Sequence, residues 1–197
     1  MIIYVTNRKL CRSDFLQRLE QLAAGRPDGI ILREKDLTVA EYETLAERAN
    51  KICKKCGVPL IVNQFAAVAE KLKIPHVQMP MENLRTERGI LENFLSTGAS
   101  VHSVDEAVEA EKLGATWLIA GHIFATSSKK GIPPRGLSFL KQVCRHTNLP
   151  VFAIGGIKAH NARDVIQAGA KGVCLMSEPM TCPDPVKYTE QLRACLS

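Results

Sequence analysis

His122 stands between an apolar run, Trp117–Ala120, and a long polar loop over 125–136. An imidazole with an ordinary pKa of ~6.5 can take and return a proton at neutral pH, so a histidine at such a strand end is a candidate acid or base. Gly155-Gly156 follows the run Val151–Ile154, where missing Cβ atoms would let an anion approach backbone N–H groups. Met176-Ser177 closes the next run, and the two places together suggest a phosphate site aided by a helix dipole. Arg33 and Lys35 are two residues apart in an extended segment and point the same way. They can serve an anionic ligand, or they can form a charged layer with no ligand at all.

Asn63 and Ser100 end two further runs and can contact the same small molecule. His102 has two readings: a second acid/base at the same mouth, or packing beside Ser100 and Ser103. The loop 125–136 contains Lys129, Lys130 and Arg135 among glycines and prolines. It reads either as a lid that closes over an anion or as a solvated connection. His76, His146 and His160 are read as structural or solvated. No nucleophile–base–orienter triad and no metal-ligand cluster can be assembled from spacing, so neither metal nor cofactor is expected.

The elements that must position these residues come from alternation of short apolar runs with longer stretches of three-to-four periodicity. Eight runs can be counted: Ile2–Val5, Gly29–Leu32, Pro59–Val62, His76–Gln78, Ala99–His102, Trp117–Ala120, Val151–Ile154 and Gly172–Met176. Several are continuous Val/Ile/Leu stretches, as expected of strands buried on both faces. Thr38-Val39-Ala40-Glu41 and Ser103-Val104-Asp105-Glu106 have the form of capping boxes, and Gly114 and Gly169 the form of left-handed helix ends. The expectation is one α/β domain over 1–197, a (β/α)8 TIM barrel, with an open doubly wound sheet as the alternative. Closure is preferred because it removes exposed strand edges. It also gathers the residues above at the C-terminal ends of the strands.

The chain has 197 residues, 46% hydrophobic, enough for one sizeable core. No run approaches the ~18 to 20 apolar residues of a membrane span, and the N-terminus lacks the pattern of a signal peptide, so a cytoplasmic protein without a membrane partner is expected. Seven scattered cysteines suggest reduced thiols, with Cys53 and Cys56 read as helix-end residues rather than half of a zinc site. A net charge of +6 without an aromatic-interleaved basic patch is explained by a small anionic ligand as well as by nucleic acid, and no nucleic-acid partner is expected. A homo-oligomer is compatible with the sequence.

Taken in order, Ile31-Leu32-Arg33-Glu34-Lys35, Asn63, Ser100-Val101-His102-Ser103, Gly121-His122-Ile123-Phe124, Lys129-Lys130-Gly131, Ile154-Gly155-Gly156-Ile157 and Met176-Ser177 resemble the thiamin phosphate synthase superfamily along almost the whole chain. That resemblance implies the same barrel. Its synthase branch joins an aminopyrimidine pyrophosphate to a thiazole phosphate and needs Mg²⁺ held by aspartates, and the corresponding positions here are the amides Gln64 and Asn83. The Gly-His-Ile-Phe run instead resembles the TenI branch. From it we expect a cofactor-free isomerase, a thiazole tautomerase, whose ligand is a phosphorylated thiazole; the alternatives are a thiamin phosphate synthase with a degenerate metal site and a non-catalytic regulatory protein that binds thiazole phosphate or thiamin phosphate. The resemblance places the catalytic proton transfer on His122, ring and carboxylate contacts on Arg33, Lys35, Asn63, Ser100 and Lys129, and the phosphate on Gly155, Gly156, Met176 and Ser177.

Overall fold

A computed structural model describes residues 1–196. Eight parallel strands close in sequence order into one barrel, which excludes the open sheet. They are β1 (Ile2–Val5), β2 (Gly29–Leu32), β3 (Leu60–Asn63), β4 (His76–Pro80), β5 (Ser96–Val101), β6 (Trp117–Gly121), β7 (Val151–Ile154) and β8 (Gly172–Leu175). β1, β2 and β7 coincide with the runs read from sequence. β4 extends two residues further and β5 begins three residues earlier, because pairing from His76–Ser96 to Pro80–Ser100 recruits polar and glycine positions that carry no apolar signal.

Around the barrel lie α1 (Phe15–Ala24), α2 (Val39–Cys56), α3 (Ala66–Lys71), α4 (Met81–Thr86), α5 (Val104–Lys112), α6 (Gly136–His146), α7 (Ala162–Gln167), α8 (Ser177–Thr181) and α9 (Pro185–Leu196). Thr38 and Glu41 form the complete capping box that starts α2. Ser103 caps α5 by accepting from Glu106 N–H at 3.0 Å, but the Glu106 carboxylate takes the His102 N–H rather than that of Ser103. Gly114 (φ 96°) and Gly169 (φ 105°) are left-handed as expected. Cys53 and Cys56 lie in the last turn of α2. No helix among the described residues is long and apolar enough to cross a membrane.

Strand alternation divides the core in two. One set, including Tyr4, Ile30, Leu32, Val62, Met79, Leu118 and Val173, packs outward against the helices. The other set fills the barrel with Ile3, Val5, Ile31, Ile61, Trp117, Ile119, Phe152 and Cys174. Trp117 and Phe152 meet edge-to-face at 5.6 Å, and the indole occupies the space in which a side chain on Gly98 would lie. The interior is therefore packed at one end, leaving room only toward the C-terminal ends of the strands.

Tyr42 of α2 ties two of those ends together. Its buried hydroxyl donates to the Leu32 carbonyl at 2.6 Å and accepts from Asn63 N–H at 3.0 Å. Tyr42→Phe leaves both backbone groups without that partner, and denaturant unfolding is expected to show a loss of about 1–3 kcal/mol.

Candidate active site

A cavity of about 550 Å³ opens at the C-terminal ends of the strands. Its walls follow from the alternation that fills the core: Ile31, Arg33 and Lys35 continue one inward row, Ser100 and His102 another, and Ile119 and Gly121 a third. Asn63, Lys129, Gly155, Gly156, Met176, Ser177 and His122 also line it. The structure thus brings Arg33, Lys35, Asn63, Ser100, His122, Lys129, Gly155, Gly156, Met176 and Ser177 to one place. Lys130 and Arg135 are not on the cavity wall.

Glu34, between Arg33 and Lys35, is only 2% exposed and faces the other way. Its carboxylate accepts from Thr6 Oγ1 at 2.7 Å, from Arg8 N–H at 3.0 Å and from the Arg8 guanidinium at 3.3 Å. This cluster fixes the segment after β2 and, by alternation, commits Arg33 and Lys35 to the cavity. Burial lowers the pKa of the Arg33 guanidinium, with Glu34 partly offsetting it. Lys35 is lowered first by burial and then by the charges of Arg33 and Lys129. Lys129 belongs to the loop after β6, diametrically opposite β2 in an eight-strand ring, so that loop arches across the mouth.

The arch is tied down at its base. His122 follows Gly121 across a cis peptide bond, is 8% exposed, and its Nε2 lies 3.2 Å from the Ile132 carbonyl. A carbonyl only accepts, so Nε2 is the donor in this contact. Arg135 N–H donates to the His122 carbonyl and Gly136 N–H to that of Ile123. The Arg135 guanidinium donates to the Gly121 carbonyl at 3.2 Å and stacks over Phe139. Arg135 thus holds the arch in place instead of reaching for an anion. His102 Nδ1 donates to the same Gly121 carbonyl at 2.8 Å, so this side chain lines the mouth and also braces the β6 end.

Gly155 (φ 99°) and Gly156 (φ 65°) are left-handed, and their lack of side chains also permits a close backbone approach. A Cβ on Gly155 would overlap His122, and one on Gly156 would overlap the Ala125 carbonyl and Phe124. The glycines let the arch pack directly on the turn after β7. Phe124 N–H donates to the Gly155 carbonyl at 3.0 Å. The N–H groups of Gly156 and Ser177 have no partner among the hydrogen bonds of the described residues and stand beside the cavity.

Gln78 carries a feature that the sequence reading missed. It is 3% exposed, its Oε1 accepts from Asn63 Nδ2 at 2.7 Å, and its Nε2 donates to Ser100 Oγ at 2.7 Å. Asn63, Gln78 and Ser100 form a continuous polar strip on the β3–β5 wall. The available signal was parity: Gln78, paired with Gly98, and Ser100, two residues further along β5, both point into the barrel. Lys158 and Glu178, paired at 3.3 Å, were missed as well because they lie beyond the strand ends.

The amides at Gln64 and Asn83 do not suit a hard divalent ion, which favours carboxylate oxygens. Gln64 lines the cavity, whereas Asn83 donates to Glu87 at 2.6 Å in a neighbouring groove. No group of three or more His, Cys, Asp or Glu among the described residues is arranged to hold a metal.

Two outcomes check this geometry. Lys35 should titrate below exposed lysines in an NMR titration, and Lys129→Gln, by removing a like charge, should raise it. Gly155→Ala should lower stability by roughly 2 kcal/mol or more in chemical denaturation, since it adds a steric overlap to an unfavourable φ.

The family model described as thiamine monophosphate synthase matches residues 2–178. The chain is 33% identical over 186 residues to a thiamine-phosphate synthase of Shouchella clausii, covering 93% of this chain and 89% of that protein. It is 36% identical to one of Roseiflexus sp. (strain RS-1), covering 100% and 85%. The thiamine phosphate pyrophosphorylase of Pyrococcus furiosus superposes with a TM-score of 0.87 at 29% identity, covering 99% of this chain and 94% of that one. These relatives overturn the isomerase expected from Gly121-His122-Ile123-Phe124: they are synthases, which are transferases, and not thiazole tautomerases. With its closed barrel, its cation-lined mouth and a match running almost from end to end, the chain belongs to the thiamine monophosphate synthase family.

Proposed function

We propose that this chain is a transferase of the thiamine-phosphate synthase kind, joining an aminopyrimidine diphosphate to a thiazole phosphate with loss of diphosphate. The observation that carries this reading is one cavity large enough for two small ligands, lined by two sets of groups able to hold anions. Arg33, Lys35 and Lys129 form one locus. The free N–H groups of Gly156 and Ser177, with Gly155 and Met176 shaping the turn, form the other. On the β3–β5 wall of the same cavity the Asn63–Gln78–Ser100 strip offers donors and acceptors in fixed positions, which suits the polar edge of a pyrimidine.

In this reading His122 is a positioning residue. Its Nε2–H holds Ile132, and with it the arch that carries Lys129 across the mouth and excludes water from the reacting groups. The amides at positions 64 and 83 do not fit magnesium. Those same amides favour a second reading, a protein that binds the two phosphorylated ligands without turning them over.

Incubation with the two substrates is expected to yield thiamin phosphate and diphosphate. Lys35→Gln should lower kcat/KM at least tenfold, because one charge-assisted contact to the leaving group is worth ~1.5–3 kcal/mol. Saturable binding of both ligands without any product would decide for the binding protein.

A further inference from the structure

The chain leaves β3 through a strained turn. Phe65 N–H donates to the Asn63 carbonyl at 2.8 Å, closing three residues around Gln64, whose φ is 57°. Positive φ at the centre makes this the rare form of the γ-turn, and a residue with a long side chain seldom adopts it. Such a conformation persists only where its surroundings over-determine it.

Contacts on both sides hold the turn. Toward β4, Gln64 N–H donates to the Gln78 carbonyl at 2.9 Å. Toward β2, Asn63 N–H donates at 3.0 Å to the Tyr42 hydroxyl, which itself donates to the Leu32 carbonyl at 2.6 Å. The Phe65 ring lies tilted on the Tyr42 ring, with centroids 4.5 Å apart. Phe65 also occupies the N-cap of α3 and gives that helix no side-chain hydrogen bond. Serine, threonine, aspartate or asparagine would cap it, so the sequence forgoes a cap and gains an aromatic contact. Tyr42 is fully buried on α2, behind the barrel wall, and does not line the cavity.

The turn sets the direction of Asn63, and Asn63 sets the strip. Its Nδ2 donates to the Gln78 carbonyl at 3.3 Å and to Gln78 Oε1 at 2.7 Å, and Gln78 Nε2 passes the same polarity on to Ser100. A shift of the Asn63 backbone would therefore displace every group of the strip, and small displacements of positioned groups are costly. We propose that Tyr42 and Phe65 are positioning residues: from outside the barrel they hold the strained turn at Gln64 and so orient Asn63 and the strip that it heads. The proposal rests on the transferase reading for the identity of the ligand that meets the strip.

Calorimetric titration with an aminopyrimidine diphosphate and, separately, with inorganic pyrophosphate tests this without turnover. The wild-type protein is expected to bind the first more tightly, because only that ligand reaches the strip. Tyr42→Phe should weaken it roughly tenfold, about one lost hydrogen bond, and leave pyrophosphate unchanged, since Arg33 and Lys35 are held by the Glu34 cluster. Phe65→Leu, which keeps the hydroxyl bridge and loses the ring contact, carries the same expectation should Tyr42→Phe not fold. Gln64→Gly and Gln64→Ala both delete the amide, and only glycine relieves the strain. Gln64→Gly should therefore melt at a higher temperature than Gln64→Ala and yet bind the aminopyrimidine diphosphate more weakly. Equal losses for both ligands, no loss in Tyr42→Phe or Phe65→Leu, a wild type that binds the two ligands alike, or equal affinities of the two Gln64 variants overturns the proposal. The expected differences without any formation of thiamin phosphate would remove the transferase reading and leave the positioning role standing.

Discussion

The buried carboxylate of Glu34 is the constraint from which the mouth of this barrel is built. A charge so thoroughly removed from water is tolerated only if donors converge on it, and Thr6 Oγ1, Arg8 N–H and the Arg8 guanidinium do so. These contacts join the segments leaving β1 and β2. Because successive side chains alternate, holding Glu34 on the far side obliges Arg33 and Lys35 to face the cavity. Two cations are thereby kept close together in a partly dehydrated wall, an arrangement that side chains free to spread into solvent would not keep.

Close backbone packing does the corresponding work across the barrel. Gly155 and Gly156 leave no room for a side chain, and the loop after β6 lies against them through His122, Phe124 and Ala125. His102 and Arg135 both donate to the Gly121 carbonyl, so the base of the arch is braced from two directions. The arch can then project Lys129 toward β2. Electrostatic and steric requirements meet here: the glycines fix where the loop starts, and its Lys129 comes close enough to feel the charge of Lys35 after β2.

An isomerase was expected from a short motif, whereas the relatives are synthases. Gly-His-Ile-Phe is a four-residue match, and an imidazole at a strand end is compatible with several roles. Here Nε2 is committed to the Ile132 carbonyl, a structural contact that no local pattern could reveal. The amides Gln64 and Asn83 were a sounder signal of departure from a metal site, but a missing carboxylate specifies what a site cannot hold well and not which reaction it runs.

What the sequence determined by itself is the strand order and the residues at each strand end. Continuous apolar runs such as Ile2–Val5 and Val151–Ile154, a capping box at Thr38 and left-handed glycines at 114 and 169 are local, and local propensity and hydrophobic periodicity suffice to read them. Arg33, Lys35, Asn63, Ser100 and His122 were legible as mouth residues for the same reason. Closure, the crossing of Lys129 from β6 to β2, the Asn63–Gln78–Ser100 strip and the use of Gly155 for packing were decided only by the tertiary structure. Each depends on groups many residues apart meeting at distances of a few ångströms, and one-dimensional spacing carries no information about which side chain will be there to meet them.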